Sequence, residues 1–132
     1  MAVAAAFAWQ HRDRPREEVA PALFRAVIEH TPKGDTREGI KAAERLSFDQ
    51  SIREAVDHLG NGSRVTAPDT VPFALWCAAR HLDHFEDAIW TTIEGFGDID
   101  TNCAIVGGIV ALYAGAESIP NAWLSAREWI GW

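Results

Sequence analysis

The sequence predicts an all-α fold, a helical bundle. Three observations carry that prediction. No alternation of period two runs long enough to make a strand. Apolar residues instead recur three and four positions apart in one segment after another. Proline, glycine and small polar residues fall where helices start and stop.

Residues 2–12 are alanine-rich, helix-favouring and begin without a capping residue. The charged stretch 13–19 reads as a loop or frayed turn. Pro21 suits the first turn of a second helix that runs to about His30, with Leu23, Val27 and Ile28 on one face. Thr31-Pro32-Lys33-Gly34 is a break. Asp35 is placed to cap a third helix, with Glu38 three residues on as in a capping box, and Ile40, Ala43 and Leu46 form its buried stripe. A fourth helix is expected over 49–58, carrying Ile52, Ala55, Val56 and Leu59, with Gly60 as its stop.

Residues 60–70 form the one long loop. Asp69 or Thr70 caps the next helix, Pro72 fits its first turn, and Phe73, Leu75, Trp76, Ala79 and Leu82 make a broad apolar surface. Further helices are expected over about 85–94 and 100–114, with a short last one from Pro120 to near Trp129. The seventh helix is apolar on every face, which predicts a central position. Its Ala104, Gly108, Ala111 and Gly115 form a small-residue seam that lets a neighbouring helix approach. The six tryptophans read as packing residues, with Trp129 and Trp132 covering a terminal face.

The chain has 132 residues, enough for one domain with a core, and 48% of them are hydrophobic, an ordinary globular composition. A net charge of −7 argues against a nucleic-acid surface and fits poorly with an anionic membrane. The longest apolar run, 104–116, is too short to span a bilayer. The apolar N-terminus lacks a basic leader and runs straight into charged helix, so it is not read as a signal peptide. Cys77 and Cys103 lie in apolar helical patterns and read as buried thiols of a reducing cytoplasm. His81 and His84 lie near acidic residues, but a solvated helix boundary explains them better than a metal site.

Two stretches carry chemistry. Gly97-Asp98-Ile99-Asp100-Thr101-Asn102 places two carboxylates and a hydroxyl where a loop becomes a helix. These are hard oxygen donors of the kind Mg²⁺ or Mn²⁺ prefers. Helix capping explains the same residues, and the two roles are compatible, since one carboxylate oxygen can accept a backbone N–H while the other faces a metal. An EF-hand does not fit, because Cys103 and Ile109 stand where its glycine and glutamate belong. Gly60-Asn61-Gly62-Ser63 is either a helix stop and turn or a set of backbone N–H groups facing a phosphate. It matches neither a P-loop nor a dinucleotide-binding fingerprint.

The two stretches occur in a fixed order with two others. Leu59-Gly60-Asn61-Gly62-Ser63, then Val71-Pro72-Phe73-Ala74-Leu75-Trp76, then the Gly97–Gly108 segment, then Ser118-Ile119-Pro120-Asn121-Ala122-Trp123-Leu124 resemble the ADP-ribosylglycohydrolase family. That all-helical family includes the dinitrogenase reductase-activating glycohydrolases. The resemblance implies a binuclear Mg²⁺ or Mn²⁺ site and hydrolysis of the glycosidic bond between ADP-ribose and an acceptor. The substrate partner it implies is an ADP-ribosylated protein or an ADP-ribose-containing small molecule. It implies Asp98, Asp100 and Thr101 as metal ligands, and Asn61, Gly62, Ser63 and Gly97 as neighbours of the ADP-ribose. Family members often carry Gly-Gly before the first aspartate, whereas this chain has Phe96-Gly97.

The family also has an N-terminal half bearing a Thr/Ser-Asp-Asp metal motif. Upstream, this chain offers only Gly34-Asp35-Thr36 and Asp49-Gln50-Ser51, neither with paired aspartates. The expectation is therefore a single partial domain over 1–132, the C-terminal portion of the fold. Such a chain would be inactive alone, and it would be unstable, self-associate or pair with a complementary chain. The alternatives are a non-catalytic module that binds ADP-ribose and a helical interaction module.

Overall fold

The computed structural model describes residues 1–131. Among them the chain forms helices α1 (Ala2–Gln10), α2 (Arg16–His30), α3 (Asp35–Arg45), α4 (Ile52–Leu59), α5 (Ala67–Arg80), α6 (Phe85–Glu94), α7 (Ile99–Ala114) and α8 (Asn121–Ala126). A 3₁₀ turn (Ala116–Ser118) separates the last two, and no strand occurs among the described residues.

Helix α5 lies at the centre. Residues 72–79 are all buried, and the helix packs against α2, α3, α4, α6 and α7. Large apolar side chains on every face explain this, because such a helix needs neighbours on all sides. Trp76 is its anchor. The ring is fully buried beside Phe48 and Phe73, at centroid distances of 6.2 and 6.5 Å, and its indole N–H donates to the Leu46 carbonyl at 3.4 Å. The Arg80 guanidinium lies 5.1 Å from the ring centroid.

The expected central helix, α7, is instead half-covered. It buries Asn102, Val106, Ile109 and Val110, and it packs on α1, α5 and α6. Ala104 and Gly108 are exposed. The apolarity of α7 rests largely on alanine and glycine, which offer little area to bury. Among the described residues no helix docks on the seam at Gly108, where a β-carbon would meet nothing within 4 Å. The neighbour comes at Gly107 instead, where Ile89 and Phe85 of α6 would stand 3.5 and 3.6 Å from a β-carbon.

Several helix ends differ from expectation. Helix α2 starts at Arg16, because Pro15 presets the entry and Glu17 and Glu18 place negative charge in the first turn. Pro21 therefore lies inside the helix. In α3 the N-cap is Gly34, and Glu38 pairs with Lys41 at 2.8 Å rather than closing a capping box with Asp35. The capping box occurs in α4 instead. There Ser51 Oγ accepts the Glu54 N–H at 3.2 Å, and the Glu54 carboxylate accepts the Ser51 N–H at 3.0 Å. Helix α5 begins after Thr66, so Pro68, not Pro72, sits in its first turn and the preceding loop is shorter.

Trp76 is core, but Trp9 and Trp90 are exposed, and Trp123 meets Phe85 and Trp90 edge-on. Trp129 is 87% exposed and covers no face, and Trp132 lies outside the described residues. Both cysteines are free, and desolvation pushes the buried Cys77 thiol up to about 12. Cys103 is only half-buried.

Helix α3 crosses α5 at a glycine. A β-carbon at Gly39 would stand 2.6 Å from Pro72 Cγ and 3.6 Å from the Pro68 carbonyl oxygen. Gly39→Ala would gain about 1 kcal/mol of helix propensity. It would also force the helices apart at a rigid proline ring, and overpacking costs about 1–3 kcal/mol. The expected result is a net loss of about 1 kcal/mol, read as a lower urea midpoint at unchanged slope.

Candidate functional site

Two loops dock on each other at one end of the bundle. One follows α4 and contains Gly60-Asn61-Gly62-Ser63. The other joins α6 to α7 and contains Gly95-Phe96-Gly97-Asp98. Asn61 holds them together. Its carbonyl oxygen accepts the Asp98 N–H at 3.1 Å and the Asn102 Nδ2–H at 2.7 Å. Its own side-chain amide donates to the Gly95 carbonyl at 3.0 Å, and its Oδ1 accepts the Ser63 N–H at 3.2 Å.

The glycines are where the loops touch. Gly97 has φ +70, and a β-carbon there would overlap the Asn61 carbonyl and stand 2.5 Å from Asn61 Cγ. Gly62 is buried with φ +86, and its β-carbon would stand 2.9 Å from Asp98 Cβ and 3.4 Å from Asn102 Nδ2. Only glycine meets both the backbone conformation and the spacing. Phe96 departs from the family's glycine yet adopts φ 53, a left-handed conformation, with its ring 72% exposed. It borders a groove of about 350 Å³ lined also by Arg53, Val56, Asp57, Asn61 and Glu94.

Asp98 is the N-cap of α7, and its Oδ1 accepts the Thr101 N–H at 3.4 Å. The capping role is thus realised. A hydrogen bond with the Asp100 carboxyl, then one with Thr101, holds the Asp98 carboxyl below its ordinary range. Two carboxylates and a hydroxyl within four residues are hard oxygen donors of the kind a divalent cation takes. Asp100 and Thr101 are exposed, so the three oxygen-bearing side chains face solvent beside the Asn61–Ser63 loop. Among the described residues no three His, Cys, Asp or Glu side chains gather as a metal cluster. The turn therefore supplies three side chains toward the roughly six oxygens that Mg²⁺ takes.

Sequence reasoning did not single out Asn102 and misassigned Asp69. Asn102 is fully buried. The signal was its spacing with Val106, Ile109 and Val110, which puts an amide on the buried face of α7. Asp69 does not cap α5. Its carboxylate accepts the Arg64 N–H at 2.8 Å and its carbonyl accepts the Gly62 N–H at 2.9 Å, closing the loop from behind. His81 and His84 do not converge on a metal. His81 Nε2 lies 2.9 Å from Thr91 Oγ1, while His84 pairs with Asp83 at 3.0 Å.

A family model for ADP-ribosylglycohydrolase matches residues 1–131. The chain belongs to the ADP-ribosylglycohydrolase family. Similar curated relatives are the ADP-ribosylhydrolase ARH3 of Bos taurus, 30% identical over 99 residues, and of Mus musculus, 31% identical over 99 residues. Each alignment covers 67% of this chain but only 27% and 26% of the relative, so the chain spans about a quarter of the relatives' length. The Homo sapiens ARH3 is 28% identical over 85 residues, covering 57% of this chain and 23% of its own. No solved structure matches the chain. The all-helical architecture agrees with this glycohydrolase family, and among the described residues no helix is long and apolar enough to cross a membrane.

Proposed function

We propose that this chain carries one part of a metal-dependent ADP-ribosyl glycohydrolase site. The observation that carries the reading is the docking of the Asn61–Ser63 loop on the Asp98–Thr101 turn through the Asn61 carbonyl. On this reading the Asn61–Ser63 loop faces the nucleotide and the Asp98–Thr101 turn beside it faces the metal. Asp98, Asp100 and Thr101 would hold Mg²⁺ or Mn²⁺, with water, substrate and polypeptide beyond this sequence completing the shell. The cation would supply Lewis-acid stabilisation and an activated water for cleavage at the anomeric carbon.

The chain's own residues orient and admit the substrate. Gly62 and Gly97 let the two loops pack directly on each other, which fixes the position of the turn. Ser63 is exposed and presents a hydroxyl toward the diphosphate or ribose. Asn61 has its side chain engaged within the chain and shapes the loop. An acidic chain of net charge −7 repels an anionic ADP-ribose, and a cation held at the turn would offset that repulsion. Substrates of this class are ADP-ribosylated proteins or small molecules, and the two free thiols suit a reducing compartment such as the cytoplasm. With at most three protein ligands in place, the chain alone is inactive and works with a complementary polypeptide.

A second reading, a non-catalytic ADP-ribose-binding module, is favoured by the missing third acidic group among the described residues. Calorimetric titration with ADP-ribose, with and without Mn²⁺, tests the proposal. Binding that requires Mn²⁺ is expected. Binding indifferent to the metal supports the module, and no binding with Mn²⁺ present contradicts both.

A further inference from the structure

We infer that Asn102 is a positioning residue that couples the nucleotide-facing loop to the metal turn, an inference that rests on the site assigned above. Asn102 sits one turn into α7 and is fully buried. It is tied at both ends. Its backbone N–H donates to the Asp98 carbonyl at 3.0 Å, and its side-chain Nδ2–H donates to the Asn61 carbonyl at 2.7 Å. The same Asn61 oxygen receives the Asp98 N–H at 3.1 Å. One carbonyl of the loop is therefore gripped by two residues of the turn, and the loop cannot shift without loosening Asp98.

The rest of the side chain shows that packing is not its purpose. Asn102 Oδ1 is buried with no hydrogen-bond partner. An unsatisfied amide oxygen is unfavourable, and the other buried residues of α7 are Val106, Ile109 and Val110. A leucine would fill this position without leaving a polar atom unpaired. What only the amide provides is the bond to Asn61. Gly62 lies against it, where a β-carbon would stand 3.4 Å from Nδ2, so the amide also fixes where the buried glycine of the loop rests.

The inference predicts a coupling that Asn102→Leu removes while the core stays filled. In the wild-type chain, saturating Mn²⁺ should raise ADP-ribose affinity, and by linkage ADP-ribose should raise Mn²⁺ affinity by the same factor. In Asn102→Leu that factor should fall about tenfold, while Mn²⁺ affinity without ADP-ribose changes less than about threefold. An unchanged factor overturns the inference. The amide exchange rate of Asp98, referred to that of Val110, gives a reading that needs no ligand. It should rise about tenfold in Asn102→Leu, because the loop no longer grips the turn. If the wild-type chain binds neither Mn²⁺ nor ADP-ribose, the proposed function fails, and this exchange ratio alone decides the role of Asn102. An unchanged ratio overturns it.

Discussion

Replacing Gly97 by alanine is expected to lower stability by about 2–5 kcal/mol and to part the two loops of the site. Two costs add. A β-carbon in a left-handed backbone costs about 1–2 kcal/mol. The collision with Asn61 adds an overpacking cost of about 1–3 kcal/mol, and the atoms met belong to a carbonyl that already accepts from Asp98 and Asn102. Relief requires the Asn61 loop to move, which breaks those bonds. Urea unfolding reads the stability, and the Asn61, Gly62 and Asp98 amide resonances should be the most displaced. A loss below about 0.5 kcal/mol, the range of an ordinary surface change, would show that the loops are not in contact.

Asp100→Ala should do the opposite, leaving the fold close to wild type and removing the metal. Asp100 is exposed, and the cap of α7 belongs to Asp98. Losing one of two carboxylates from so small a donor set should weaken Mn²⁺ binding by about a hundredfold or more, since outer-shell losses alone cost 10–100-fold. Asp98→Asn gives a useful contrast. Asparagine caps helices as well as aspartate does, so α7 should persist while the charge that attracts a cation is lost. Both variants should therefore fold and bind Mn²⁺ poorly. Unaltered Mn²⁺ affinity in both would leave capping as the whole role of the turn.

Much of this was legible in the sequence, for reasons that particular residues show. The stops at Gly60 and the break at Thr31–Gly34 are local backbone chemistry, and local pattern reads them well. The prediction failed where tertiary contacts decide. Helix α7 reads as central because it is apolar on every face, yet alanine and glycine contribute apolar character without area, and the larger side chains of α5 take the position. Asp35 and Glu38 have capping-box spacing, but Lys41 captures the glutamate, and Ser51–Glu54 forms the box instead. In the candidate site, the motifs identified the two loops. Nothing in the linear sequence showed that the Asn61 carbonyl joins them, or that Asn102 donates to it across 41 positions.

A divalent cation held at Asp98, Asp100 and Thr101 would lie beside the Asn61–Ser63 loop. Paramagnetic broadening by substoichiometric Mn²⁺ in an amide-resolved NMR spectrum reads that position. Early loss of the Asp98, Asp100, Thr101, Gly62 and Ser63 amide signals is expected, with Trp76 and Val27 in the core left sharp. Broadening centred on Asp83, His84 and Asp87, or spread evenly over the acidic surface, would contradict it.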